Sequence, residues 1–218
     1  VFGVVIFFWM SFHQNGYSLT YFARDYVDLS VIKIDLGFTQ IKGAEIFQSV
    51  NPMIVVFLTP LVMYVFGRLR AKGKEPSAPR KIAIGMGIAA LAYVFLMVCS
   101  LGLPEQSTLG SMSEAAKHDM LLTPWVMVGM YFILTMAELF ISPLGLSFVS
   151  KVAPPHLQGV MQGAWLAATA LGNSLLFIGG VLYTSVPLWA CWLVFVGACA
   201  ASMITMLAMV KWLERVAK

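Results

Sequence analysis

The sequence predicts an all-α polytopic membrane protein, a bundle of six transmembrane helices. Three observations carry this prediction. Of 218 residues, 60% are hydrophobic and 11% are charged, against about 45–50% and about 25% in an ordinary soluble domain. The apolar residues collect in six runs, each near the roughly 20 residues a helix needs to cross the hydrocarbon. The basic residues collect in alternate connections between those runs. A soluble chain of this makeup would lack polar groups to cover its surface, whereas lipid accepts apolar side chains. The net charge of +4 is explained by orientation in the membrane, and no nucleic-acid partner is expected.

The first span, 1–23, contains FFWMSFHQNGYS. Ser11, Gln14, Asn15 and Ser18 follow helical spacing and define a polar face directed into the bundle. His13, whose ordinary pKa is about 6.5, has two readings. It binds substrate or handles a proton, with Gln14 beside it in gating, or it is a neutral histidine bonded to a neighbouring helix.

The second span, 44–66, contains EIFQSVNPMIVVFLTP. Pro52 and Pro60 lack an N–H, so they free the carbonyls of Gln48 and Val56 and predict helix kinks. Gln48 and Asn51 are three residues apart and share a face. They either hydrogen-bond a peptide-like ligand or repair the backbone beside the kink.

The third span, 80–101, carries Gly85 and Gly87, which read as packing glycines. The loops 24–43 and 102–123 are longer than a simple connection requires. The second is polar and is expected to be mobile.

The fourth span, 124–150, holds Glu138 near its middle, in MAELFISPLGLS. An ionisable group at mid-bilayer is costly and marks a cavity or a proton path, or else a structural pair with another helix. Five residues on, Pro143 frees the carbonyl of Leu139, and Gly145 permits further bending. A carboxylate beside a bare carbonyl suits an ammonium group.

The fifth span, 158–183, carries Gly159, Gly163 and Ala167 at a spacing of four, a stripe that predicts close helix packing. Trp165 lies off that stripe and either walls a pocket or packs. Trp125 and Trp189 sit at span ends as interface anchors. The short connection to the sixth span, 188–212, makes those two helices antiparallel neighbours.

Orientation follows from the basic residues. Arg68, Arg70, Lys72, Lys74, Arg80, Lys81, Lys151, Lys211, Arg215 and Lys218 fall on one side, leaving Arg24, Lys33, Lys42 and Lys117 on the other. The positive-inside rule then predicts an inner-membrane protein with both ends of this segment cytoplasmic. The chain opens at Val1 inside an apolar run and reads as part of something longer. Six helices with both ends inside match half of a twelve-helix transporter. Cys99, Cys191 and Cys199 lie in apolar runs without metal-ligand spacing. Phosphate loops, paired metal ligands and GxSxG elbows are all missing from the sequence, which argues against an enzyme and against a metal site.

The run ELFISPLGLSFVSKVAPPHLQGVMQGAWLAATALGN, from Glu138 to Asn173, strongly resembles the tenth and eleventh helices of proton-dependent oligopeptide transporters of the major facilitator superfamily. FQSVNP with the later Pro60 resembles their eighth helix. FWMSFHQNG resembles their seventh, where the family usually reads FWxxFEQxG. The resemblance implies the C-terminal six-helix half of that fold, with the N-terminal half outside this chain. It implies proton-coupled symport of di- and tripeptides by alternating access. The proton gradient would be the energy source, with no cofactor, and small peptides and the lipid bilayer would be the partners.

By the same resemblance, Glu138 receives the peptide's amino terminus, Asn51 contacts its backbone and Trp165 lines its pocket. His13 stands where the family has a glutamate that pairs with an arginine of the missing half and helps to close the outer gate. A histidine does not form that salt bridge, so gating or proton coupling is rewired here. This departure leaves open another amine-bearing or nitrogenous solute, and also a membrane half-protein that does not transport.

Overall fold

The apolar runs fold as helices because a backbone surrounded by lipid must satisfy its own polar groups. The computed structural model describes residues 1–30, 32, 34, 35, 40, 41 and 43–216. Lys33 and Lys42, assigned above to an external loop, and Lys218 of the tail lie outside the described residues. Among those described, five helical segments are long and apolar enough to cross a membrane: Ala44–Ala71, Ala78–Cys99, Trp125–Val152, Pro155–Ser185 and Leu188–Arg215.

The first expected span differs. It folds as α1 (Phe2–Phe12), a 3-10 turn over His13–Gly16 and α2 (Ser18–Tyr26). The polar cluster HQN and Gly16 fall at the interruption, so no single long apolar helix forms there.

The second segment is a 3-10 turn, Ala44–Ser49, leading into α3 (Val50–Ala71). Pro52 therefore falls in the first turn of α3 and not in a helix interior, as the kink prediction required. First-turn amides have no intrahelical acceptor, so a proline is tolerated at that position. Pro60 does lie inside α3. The third segment is α4 (Ala78–Cys99), and α5 (Glu114–Asp119) lies in the loop that follows. The fourth segment is α6 (Trp125–Val152), assigned helical throughout, past Pro143. The side chain of Pro143 lies outside the described residues. The fifth is α7 (Gln158–Ser174), interrupted at Leu175–Leu176 before α8 (Phe177–Ser185), and α9 (Leu188–Val216) closes the chain.

α4 lies at the centre, packed along α6 on one side and α9 on the other, while α1 packs on α7 and α9. Gly85 makes the first contact close. A Cβ there would stand 2.6 Å from Ile141 Cγ1 and 2.9 Å from the Ala137 carbonyl oxygen of α6. Tyr93, Tyr131, Trp192 and Phe195 form the buried aromatic centre, and Trp192 Nε1 donates to Ser100 Oγ at 3.0 Å. α3 stands apart. It packs mainly on α6 and has no buried residue. The stripe of Gly159, Gly163 and Ala167 does not meet another helix among the described residues; both glycines face open space. The predicted close packing is thus not made among the described residues.

The loop over 102–123 carries secondary structure and hydrogen bonds to α2. It forms a 3-10 turn, Gln106–Ser111, and α5, capped by Ser113 Oγ accepting from the Ala116 amide at 3.3 Å. Tyr26 Oη donates to the Pro104 carbonyl at 2.9 Å. The Leu122 amide donates to the Tyr26 carbonyl at 2.8 Å. Two-residue strands β1 (Ile34–Asp35) and β2 (Gln40–Ile41) pair antiparallel in the connection over 24–43, Ile34 opposite Ile41.

Candidate functional site

Asn51, Thr135 and Glu138 meet between α3 and α6. The 3-10 turn delivers Asn51 at the start of α3, pointing at α6. Its Nδ2 donates to Thr135 Oγ1 at 2.9 Å and to Glu138 Oε2 at 3.1 Å. Thr135 and Glu138 share a face of α6 because they are three residues apart. Thr135 Oγ1 in turn donates to the Tyr131 carbonyl at 2.7 Å, which orients the hydroxyl to accept from Asn51. Glu138 is half-buried and Thr135 fully buried. One carboxylate oxygen is thereby held by an amide. A half-buried carboxylate on a membrane-crossing helix favours a cationic partner, because charge in that setting needs a counter-charge.

Trp165 is buried, 3% exposed, on the face of α7 away from the small-residue stripe. Its ring lies on the backbone of α6: a Cβ at Gly145 would sit 2.1 Å from Trp165 Cη2. Phe2 meets it edge-on, with centroids 6.4 Å apart. Gly145 is seven residues beyond Glu138, or about 10 Å along the helix axis. Trp165 therefore occupies the same α6 corridor as Glu138 at a different depth.

Gln48 is exposed on the 3-10 turn, and its Nε2 donates to Thr20 Oγ1 of α2 at 3.2 Å. This bond spans from the second segment to the first. Gln14 is fully buried and sits at two helix interruptions at once. Its Nε2 lies 3.4 Å from the Met10 carbonyl and 3.3 Å from the Leu176 carbonyl, at the α7–α8 break. Its Oε1 accepts from Ser18 Oγ at 2.8 Å. Gly179 leaves room for it, since a Cβ there would be 2.1 Å from Oε1. His13 is half-buried and stacks on Trp9, with centroids 4.9 Å apart, while Nδ1 donates to the Trp9 carbonyl at 3.2 Å. Among the described residues it makes no hydrogen bond to Glu138, Asn51 or Trp165.

Thr135 and Tyr131 were not singled out by the sequence reading. Tyr131 Oη donates to the Asn15 carbonyl at 2.7 Å, which ties α6 to the interruption in the first segment. The signal was available: residues 131, 135 and 138 are polar groups at helical spacing on one face. Among the described residues, no three His, Cys, Asp or Glu side chains are grouped to hold a metal ion.

A model of the POT family matches residues 1–206. The chain is 30% identical over 167 residues to the peptide transporter YePEPT of Yersinia enterocolitica, covering 77% of this chain and 29% of that protein. It is 30% identical over 184 residues to dipeptide and tripeptide permease B of Salmonella typhimurium, covering 84% of this chain and 33% of the permease. In three dimensions it resembles a crystal structure of a mutant of the peptide transporter POT, with a TM-score of 0.80 at 24% identity, covering all of this chain and 39% of that one. It also resembles the POT family transporter PepTSo, with a TM-score of 0.74 at 22% identity, covering 98% of this chain and 40% of that one. The chain spans about a third of the length of the curated relatives it matches. With the family model matched over nearly its whole length, the chain belongs to the POT family, as a multi-pass membrane protein.

Proposed function

We propose that this chain forms the C-terminal six-helix half of a proton-coupled symporter of di- and tripeptides. It works by alternating access against an N-terminal six-helix half, in the inner membrane, with both ends of this segment cytoplasmic. The observation that carries the reading is the Asn51–Thr135–Glu138 cluster. An amide fixes one carboxylate oxygen and leaves the group to receive an ammonium, which is the charge at a peptide's amino terminus. The names of the relatives agree with this: one is a peptide transporter and another a dipeptide and tripeptide permease.

In this reading Glu138 and Asn51 hold the amino end and backbone of the peptide, and Trp165 walls the pocket. Gln48, bonded to Thr20, sits at the outer rim. His13 and Gln14 lie at the interruption of the first segment, where α2 can move relative to α1. That interrupted segment is the sixth crossing. The exposed faces of α3 and of α7 suit contact with the other half. A carrier needs two bundles that rock against each other.

The test is uptake of a labelled dipeptide by the whole protein in liposomes, driven by a pH gradient. Glu138→Gln keeps the shape and removes the charge. Losing one hydrogen bond to a charged group, worth about 1.5–3 kcal/mol, lowers uptake about tenfold or more. Uptake near the wild-type level in that variant removes Glu138 from the mechanism. Dipeptide uptake no greater than that of protein-free liposomes, under the same pH gradient, assigns the carrier to another solute.

A further inference from the structure

A second pocket opens between the last turns of α3 and the start of α4, away from the hydrogen bonds of Glu138. Its cavity of about 290 Å³ is walled by Val62, Met63, Phe66 and Leu139. Its end is charged. Glu75, in the turn between α3 and α4, stands between two cations. Arg70 donates to it from Nε at 2.6 Å and from Nη2 at 3.1 Å. Lys81 Nζ donates to the same carboxylate. Lys81 is 4% exposed, with its ammonium 4.1 Å from the centroid of the Phe66 ring.

Two cations share one carboxylate here, so one positive charge is unmatched within the cluster. An ammonium this deeply buried gains from a further anion. The Arg70 side chain is 76% exposed at the mouth, and Arg68, Lys72 and Lys74 flank it in the sequence. The pocket is therefore apolar along the helix and cationic at the helix end, where a membrane-crossing helix meets the headgroups. A lipid with an anionic head has the same order of parts. A soluble anion has no use for the apolar wall, and a zwitterionic lipid carries no net charge to match the cluster.

We propose that this groove holds one anionic phospholipid, with an acyl chain along Val62, Met63, Phe66 and Leu139 and its phosphate on Arg70 and Lys81. This site does not depend on the transport reading.

The test uses the whole protein purified in mild detergent. It is titrated separately with phosphatidylglycerol, phosphatidylcholine and inorganic phosphate. Binding is read by mass spectrometry of the intact complex and by thermal unfolding. Phosphatidylglycerol binds saturably and raises Tm, and the other two do not. Arg70→Gln weakens binding about fivefold, the worth of one basic side chain at a membrane surface. Met63→Trp fills the cavity and weakens binding without changing charge. Glu75→Gln frees both cations and tightens binding. That sign separates a binding role from a structural one, since losing a merely structural carboxylate would not increase affinity for lipid. The proposal is overturned if phosphatidylglycerol binds no better than phosphatidylcholine. It is equally overturned if phosphate reproduces the effect, or if Arg70→Gln and Glu75→Gln bind the lipid as the wild type does.

Discussion

The side-chain amide of Asn51, at the start of α3, donates to Glu138 Oε2 of α6 across 3.1 Å, and the same nitrogen reaches Thr135 Oγ1 at 2.9 Å. One amide thus fixes the rotamer of the carboxylate proposed to hold the substrate. Asn51→Ala removes both bonds and leaves a half-buried carboxylate without its donor. We expect KM for a dipeptide to rise about tenfold, from a loss of about 1–2 kcal/mol. The double variant Asn51→Ala with Glu138→Gln should be little worse than Glu138→Gln alone, because the two side chains act as a pair. Uptake kinetics in liposomes measure this, and strictly additive losses would show that the amide acts elsewhere.

Gln14 joins the two interrupted segments. Replacing it by Ala leaves the fully buried Ser18 hydroxyl without its acceptor and takes from the Leu176 carbonyl one of its donors, the Gly179 amide at 3.0 Å remaining. An unsatisfied buried group costs about 1–3 kcal/mol. Gly179→Ala attacks the same contact from the other side, since the new Cβ would fall 2.1 Å from Gln14 Oε1. Both variants should lower the thermal midpoint of the detergent-purified protein. Their combination should lose less than the sum, because Gln14→Ala vacates the space that the Gly179→Ala methyl needs. Full additivity would place Gln14 away from the α7–α8 break.

The long helices were legible because a span of about 20 apolar residues is a local property. Their meeting points were not. Glu138 was found from its own cost in lipid, but its hydrogen bond to Asn51 joins residues 87 apart, and the bond from Gln14 to the Leu176 carbonyl joins residues 162 apart. Periodicity says which face a residue takes, not the register in which two helices pack. Thr135 could have been found by extending the Glu138 face back by three residues. A single helix over the whole apolar run would put a kink at Pro52; the 3-10 turn before it moves the helix start to Val50. The stripe of Gly159, Gly163 and Ala167 predicts a close partner, but a stripe does not say whether that partner is in the same chain.

Glu75 gives a pH-dependent prediction. Hydrogen bonds from Arg70 and then Lys81 hold its carboxyl down at about 2, from an ordinary value of 4.5. A carboxyl with a depressed folded-state pKa stabilises the fold fully above its unfolded value and loses that contribution as pH falls through the folded one. The loss therefore runs from about pH 4.5 down to about pH 2. Exposure of Arg70 and screening by solvent keep the effect small. Thermal midpoints measured across that range should fall less steeply in Glu75→Gln than in the wild type. Parallel slopes for the two proteins would mean that the Arg70–Glu75–Lys81 cluster does not persist in solution.

The contact of Trp165 with the backbone of α6 depends on the missing side chain at Gly145. A methyl group there would stand 2.1 Å from Cη2 and 2.3 Å from Cζ2 of the indole, so Gly145→Ala forces either the ring or the helix to move. Overpacking of this kind costs about 1–3 kcal/mol, partly offset by the better helix propensity of Ala, about 1 kcal/mol. We expect a lower thermal midpoint for Gly145→Ala. Adding Trp165→Phe should recover part of it, since the smaller ring withdraws from the new methyl. If the indole also walls the peptide pocket, Gly145→Ala raises KM as well, and the double variant restores stability without restoring KM. Measuring both quantities in the two variants separates the packing role of the tryptophan from its role toward substrate. An unchanged midpoint in Gly145→Ala would show that α7 does not approach α6 this closely.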